Sequence, residues 1–221
     1  MKVEAKRMEN AVESGGGAEA NPCTGGKSRV RDRIFETACD LFYKQGIRGV
    51  GVDAIASEAG TNKMSFYRSF PSKDELVAEY VRDAARQFMQ WWDEVVAPYP
   101  GDPRRQAEAL FEATVNKPQE QCDRGCAMAN VMVEIQEEDH AALLVVREHK
   151  AEIRQRLRQL AADMGARNPD KLGDSLMLVM GGSFQSRMIF PQGASSPVDV
   201  AGCCAKVLIE AHLNNNGACS G

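Results

Sequence analysis

Lys63, Met64, Ser65, Tyr67 and Arg68 fall within six consecutive positions, and their chemistry suits a surface that reads polar edges. A lysine and an arginine can meet guanine acceptors or phosphate oxygens, and the hydroxyls of a serine and a tyrosine can donate to either. A second group, Cys126, Asn130 and Glu134, recurs at four-residue spacing, which aligns a thiol, an amide and a carboxylate on one helix face behind Arg124-Gly125. Facing an apolar interior, each would need a partner, and a bound small molecule can supply it. Cys126 also opens its helix near Arg124, with Cys122 one turn away. A helix start favours thiolate, so oxidation or electrophile sensing is an alternative use of these cysteines.

Two further patterns are incomplete. Glu137-x-x-His140, with Glu134 one turn earlier, has the spacing of a helical di-metal carboxylate site. Such a site needs a second Glu-x-x-His, but Val146 and Ile209 stand three residues before His149 and His212. A helical metal-carboxylate enzyme is therefore the alternative of a different class, and an acidic helix end before His140 is the expected account. Gly26-Lys27-Ser28 resembles the end of a phosphate-binding loop, yet Asn21 stands where the first glycine is required and no apolar strand precedes it. No nucleophile elbow or Ser/His/Asp order occurs. The expectation is a protein that is not an enzyme and needs no metal or cofactor.

The elements that would carry these residues are helical throughout. Ile34, Ala38, Leu41 and Phe42 recur at three- and four-residue spacing until Gly46. Short helices over 52–59 and 62–70 flank Gly60, and Ser72 with Glu75 three positions on marks the start of a long helix reaching about 97. Pro and Gly signals then divide helices at 103–117, 126–138, 140–164, 169–190 and 197–213. Period-two alternation is not sustained anywhere in the sequence, so the predicted fold class is all-α. The helices over 52–70 have the layout of a helix-turn-helix: Ile55, Ala56 and Ala59 form a small apolar face, Gly60 makes the turn, and Phe66 and Phe70 pack the second helix back. That crossing leaves the polar side of the second helix projecting outward, where it can enter a major groove.

Charge follows the same division. The 221 residues carry a net charge of -4, which taken whole argues against a nucleic-acid partner. Residues 27–73 hold nine basic and five acidic side chains, a net +4, whereas 74–221 hold fifteen and twenty-two, a net -7. Basic charge thus coincides with the helix-turn-helix, as phosphate neutralisation requires. A hydrophobic content of 43% is enough for a packed core and excludes a wholly disordered chain. The sequence has no apolar run of membrane-spanning length and no secretory pattern over its first 20 residues. Its seven scattered cysteines form neither a disulfide framework nor a zinc pattern, so a cytoplasmic protein with reduced thiols and no membrane partner is expected.

Arg33-Ile34-Phe35 through Leu41-Phe42 with Gly46, then Val52-x-x-Ile55-Ala56-x-x-Ala59-Gly60, then Lys63-Met64-Ser65-Phe66-Tyr67-Arg68-Ser69-Phe70-Pro71-Ser72-Lys73-Asp74-Glu75-Leu76 form one dense pattern. In these residues the chain resembles the TetR/AcrR class of bacterial one-component transcriptional repressors. The resemblance implies that Lys63, Met64, Ser65, Tyr67 and Arg68 face double-stranded DNA and that Lys73 meets a phosphate. It also implies a small-molecule inducer held in a helical C-terminal domain, and a homodimer through the last two helices that binds a palindromic operator. Gly51 departs from the family pattern, which has Thr or Ser just before the first helix of the motif. The expected organisation is a flexible arm over 1–27, a three-helix DNA-binding domain over 28–73, and a ligand-binding and dimerisation domain over 74–221. Candidate ligand contacts are Phe88, Trp92, Phe111, Cys126, Asn130 and Glu134, with Trp91, Met128 and Met132 as further bulky residues near the centre. For the dimer, Leu172, Leu176, Val179, Met180 and Phe184 on one helix and Val200, Cys203, Cys204, Val207 and Leu208 on the next supply apolar faces.

Overall fold

The computed structural model describes residues 30–117, 124–190 and 196–213. The expected arm over 1–27, the Gly26-Lys27-Ser28 segment and Cys122 lie outside the described residues. Within them the chain forms α1 (Val30–Gln45), α2 (Val52–Glu58), α3 (Lys63–Ser69), α4 (Lys73–Val96), α5 (Pro103–Asn116), α6 (Ala127–Glu134), α7 (Ala141–Asp163), α8 (Pro169–Ser186) and α9 (Ala201–Leu213). The described residues contain no strand, in agreement with the all-α expectation.

Helix starts follow local chemistry. Asn62, Ser72, Asp102 and Asn168 each accept a hydrogen bond from a backbone N–H in the first turn of α3, α4, α5 and α8. Proline occupies the first position of α5 and α8, where its missing N–H leaves no gap in the ladder. The ends depart more from expectation. α6 stops at Glu134 rather than 138, because Ile135 turns extended and buries its side chain, and because Glu137 and Glu138 would oppose the negative end of the helix dipole. α8 stops at Ser186 instead of 190, where Arg187 turns inward. Its guanidinium, 2% exposed, donates to the carbonyls of Thr114, Val115 and Lys117, so a buried cation caps the negative end of α5. The first turn expected of α9 is a tighter 3₁₀ turn over Pro197–Val200.

Two cores result. One gathers Ile34, Phe42, Ile55, Phe66 and Phe70 from α1–α3 with Leu76, Tyr80 and Val81 of α4, Met128 and Val131 of α6, and Val146 of α7. The other gathers Trp92, Leu110, Phe111, Leu157, Leu172, Leu176 and Ile209 from α4, α5, α7, α8 and α9. The first core therefore crosses the 73/74 boundary, and α4 belongs to both. Helix α7 packs closely on α8 because Gly173 lets the backbone of Arg158 approach: a Cβ on Gly173 would stand 2.7 Å from both Arg158 Cα and Arg158 N. Arg154 and Arg158 then both grip Asp174 across the same contact.

The expected dimer faces divide on inspection. Leu172, Leu176, Met180 and Phe184 are buried in the protomer's own core, because α8 turns its more apolar stripe toward α7 and α9. What α8 presents outward is Leu178 and Gly182. On α9 and the turn before it, Val200, Cys203, Cys204 and Val207 are exposed while Ala205 and Ile209 are buried.

Gly173→Ala should be destabilising by about 1–3 kcal/mol, the range for forcing extra volume into a packed interior. Urea unfolding checks this; an unchanged midpoint would mean that the α7–α8 contact opens freely.

Candidate DNA-reading head and ligand cavity

The reading head is built by three short contacts. Gly60, at φ +62°, turns the chain between α2 and α3, and the N–H of Thr61 donates to the carbonyl of Ala56 at 2.9 Å. Asn62 then caps α3 by accepting from Ser65 N at 2.9 Å. Phe66 and Phe70, both essentially buried, hold the inner side of α3, with Arg31 of α1 stacked over the Phe70 ring at 4.7 Å. With that side anchored, Lys63, Met64, Tyr67 and Arg68 are exposed on the other, and Ser65 is half-buried. Tyr67 stands edge-on to Phe66 at 5.3 Å between ring centres, which supports its ring while half of the residue stays exposed.

Not every expected DNA contact is unoccupied. Lys63 Nζ pairs with Asp53 of α2 at 3.1 Å. Lys73 Nζ donates to the carbonyl of Ile47 at 2.6 Å and ties the start of α4 to the turn after α1. Partial burial holds the Lys73 ammonium below its ordinary 10.5, against the pull of Asp74 and Glu134. Gly51 gives α2 no side-chain cap, as the departure from the family pattern implies.

A cavity of about 1020 Å³ lies behind the reading head, bounded by α1, α4, α6, α7 and α8. Phe88, Trp91, Met128, Ile153 and Phe184 supply much of its apolar wall, and its polar lining includes Cys126, His149, Lys150, Lys117, Asp83, Arg154 and Asp174. Of the expected ligand contacts, Phe88 and Cys126 line it, whereas Trp92, Phe111, Asn130 and Glu134 do not. Trp92 and Phe111 are locked into the second core. The inward stripe of α6 is Met128 and Val131, continued by Ile135, so the stripe of Cys126, Asn130 and Glu134 runs along its flank. Met132 is on the outer surface. Asn130 Nδ2 turns back to donate to the carbonyl of Arg124 at 2.9 Å. Glu134 reaches the reading head instead: its carboxylate accepts from Arg48 N at 3.0 Å and lies against Gly46, where a Cβ would be 3.0 Å from both oxygens.

His149 and Lys150 were not singled out by the residue pattern as ligand contacts; an isolated histidine followed by a lysine in a long amphipathic helix carries no spacing signal. The His149 ring is 5% exposed and edge-on to Phe88 at 5.3 Å, and its Nδ1 has no hydrogen-bond partner. Burial, helped by the neighbouring Lys150, pushes its pKa down to about 4. His140, the other half of the incomplete metal motif, caps α7: its Nδ1 accepts from Ala142 N at 3.1 Å. No group of three or more His, Cys, Asp or Glu able to hold a metal occurs among the described residues.

A sequence model of the bacterial regulatory proteins, tetR family, matches residues 34–80, which is α1 through the first third of α4. The crystal structure of SCO4454, a TetR-family transcriptional regulator from Streptomyces coelicolor, superposes with a TM-score of 0.74 at 23% identity, covering 84% of this chain and 96% of that one.

Over residues 34–80 in sequence, and over most of the chain in fold, it is similar to TetR-family regulators.

The structure of sav143 from Streptomyces avermitilis aligns at TM-score 0.70 with 29% identity, over 84% of this chain and 98% of that one. In sequence, the transcriptional repressor KstR2 of Rhodococcus jostii is 35% identical over 74 residues. That match spans 34% of this chain and about a third of the relative, 36% of its length. The proteins it matches are helix-turn-helix transcriptional regulators, and the matches span about a third of the length of the first curated relatives. Among the described residues, no helix is long and apolar enough to cross a membrane.

The buried histidine has a measurable signature. His149 is neutral when folded down to about pH 4 and takes up a proton near 6.5 when unfolded, so the unfolded chain binds more protons between those values. Stability should therefore fall as pH drops from about 6.5 to about 4, and His149→Phe should flatten that part of the curve. Urea titrations across the window decide it; an identical slope in the variant would assign the loss to another group.

Proposed function

We propose that the chain is a cytoplasmic, homodimeric repressor that binds a palindromic DNA operator through α3 and is released by a small molecule entering the cavity. The observation that carries the DNA reading is the split character of α3: Phe66 is sealed into the first core while Met64, Tyr67 and Arg68 stand exposed on a helix fixed at both ends. A helix held in that way can present side chains to base edges in a major groove without reordering. The basic residues of the surrounding segment supply the phosphate attraction, and Lys63 and Lys73 join it by exchanging their present partners for phosphate oxygens.

Two outward faces support the dimer. Leu178 and Gly182 on α8, with Val200, Cys203, Cys204 and Val207 at the start of and along α9, form an exposed stripe of apolar and small side chains. A second copy related by a two-fold axis would cover it and set the two reading heads one spacing apart. Response to a ligand has a physical route through α6. Its first residues, Ala127 and Met128, line the cavity, and its last, Glu134, holds the turn between α1 and α2 through Arg48. A ligand that displaces α6 bears directly on the reading head.

In a mobility-shift titration against the DNA upstream of its own coding region, a scrambled duplex should fail to compete. Tyr67→Ala and Arg68→Ala should each weaken specific binding by about 1–3 kcal/mol while leaving the dimer intact. Equal competition by the scrambled duplex overturns sequence-specific recognition, and loss of the dimer in these variants would show that α3 is not the reading helix. Glu134→Ala should leave binding to the cavity intact but reduce the change in operator affinity that an inducing ligand causes. Full release of that variant by such a ligand would remove α6 from the route.

A further inference from the structure

The cavity's charges do not balance internally. Asp83 is satisfied by Arg86 at 2.5 Å and Gln87 at 2.7 Å, and Asp174 by the paired guanidinium groups of Arg154 and Arg158. Lys150 has no such carboxylate. Among the described residues its ammonium meets Cys126 Sγ at 3.6 Å, and a thiol sulfur is a weak acceptor for one of three N–H donors. One helical position earlier, the His149 ring also borders the cavity, with its Nδ1 buried. An anionic group that gives the Lys150 ammonium a strong acceptor therefore gains more than burial of its apolar body alone.

The remaining wall narrows the partner's chemistry. Phe88, Trp91 and Phe184 favour a body with rings or long hydrocarbon. A lipophilic cation would meet Lys150 with like charge, and the face of Trp91 that could hold it already carries the Lys117 ammonium at 5.2 Å. A neutral hydrocarbon would leave Lys150 with only the weakly accepting thiol. A polyphosphate would set several negative charges against a largely apolar wall that already carries Asp83 and Asp174.

We infer that the cavity takes a lipophilic monocarboxylic acid, its carboxylate received by Lys150. This inference rests on the cavity being the inducer site of the proposed function. The acid end lies beside Cys126 at the start of α6, and the apolar body extends toward Phe88 and Phe184.

The test uses 1-pyrenebutyric acid and its methyl ester as probes, titrated by fluorescence into the full chain at neutral pH without DNA. The acid should bind roughly tenfold more tightly than the ester, as one desolvated charge-assisted hydrogen bond implies. Lys150→Met should bring the acid down to the level of the ester without changing the ester, and Lys150→Arg should keep the preference. Equal binding of acid and ester, no binding of either, or a preference that survives in Lys150→Met overturns the inference. Loss of the preference in Lys150→Arg, in a chain with unchanged helical circular dichroism, does so too. Because no DNA is present, any of these failures leaves operator recognition standing, and a chain unable to bind its operator would still show the acid preference.

Discussion

Helix α4 is shared by two hydrophobic cores, and the rest of the molecule is arranged around that fact. Its first turns bury Leu76, Val77, Tyr80 and Val81 among the helices of the reading head, and its fifth turn onward, from Phe88 to Trp92, joins the core of the other half. Twenty-four residues at about 1.5 Å each make a rod of about 36 Å with no proline inside it. A close-packed interior resists local deformation, so a change of tilt imposed at one end of such a rod is felt at the other. Ser72 at the start and the tie from Lys73 to Ile47 fix where the rod meets the reading head.

Buried polar groups in the second half fall into two kinds. Arg187 is a structural one: its two terminal nitrogens close the carbonyl end of α5, and its guanidinium points inward at the turn after α8. His149 and Lys150 are of the other kind, placed by a long helix at a cavity whose remaining wall is largely apolar. The first kind holds helices together, and the second leaves chemistry open to an incoming molecule. The contrast follows from position, since a helix end offers carbonyls to a cation and a helix side does not.

The reading head was legible in the sequence because its determinants are local. Capping by Asn62 and Ser72, the turn at Gly60, and the three-residue and four-residue spacing of Ile55, Ala59, Phe66 and Phe70 all act within one or two turns. The cavity lining was legible only in part: of the expected contacts, Phe88 and Cys126 border it. Trp92, Phe111, Asn130 and Glu134 went elsewhere, because the face a helix turns inward depends on which neighbours it meets and at what angle. The same long-range ambiguity assigned Leu172, Leu176 and Phe184 to an outer face when they fill the protomer's own core. Two apolar stripes on adjacent helices look alike in sequence whether they meet each other or a second chain.

The pair formed by Lys63 and Asp53 has a consequence for how tightly such a surface can hold nucleic acid. Both side chains are more than half exposed, so the pair is weakly held and exchanges readily. A lysine that already has an anion beside it gives up that anion, and not a dissolved counterion, when a phosphate arrives. Cations condensed on the nucleic acid would leave all the same, but the broken pair with Asp53 would subtract from the gain. Under the proposed reading Asp53 would be a resident competitor for the phosphate at Lys63, whereas Tyr67 and Arg68 would meet no such rival.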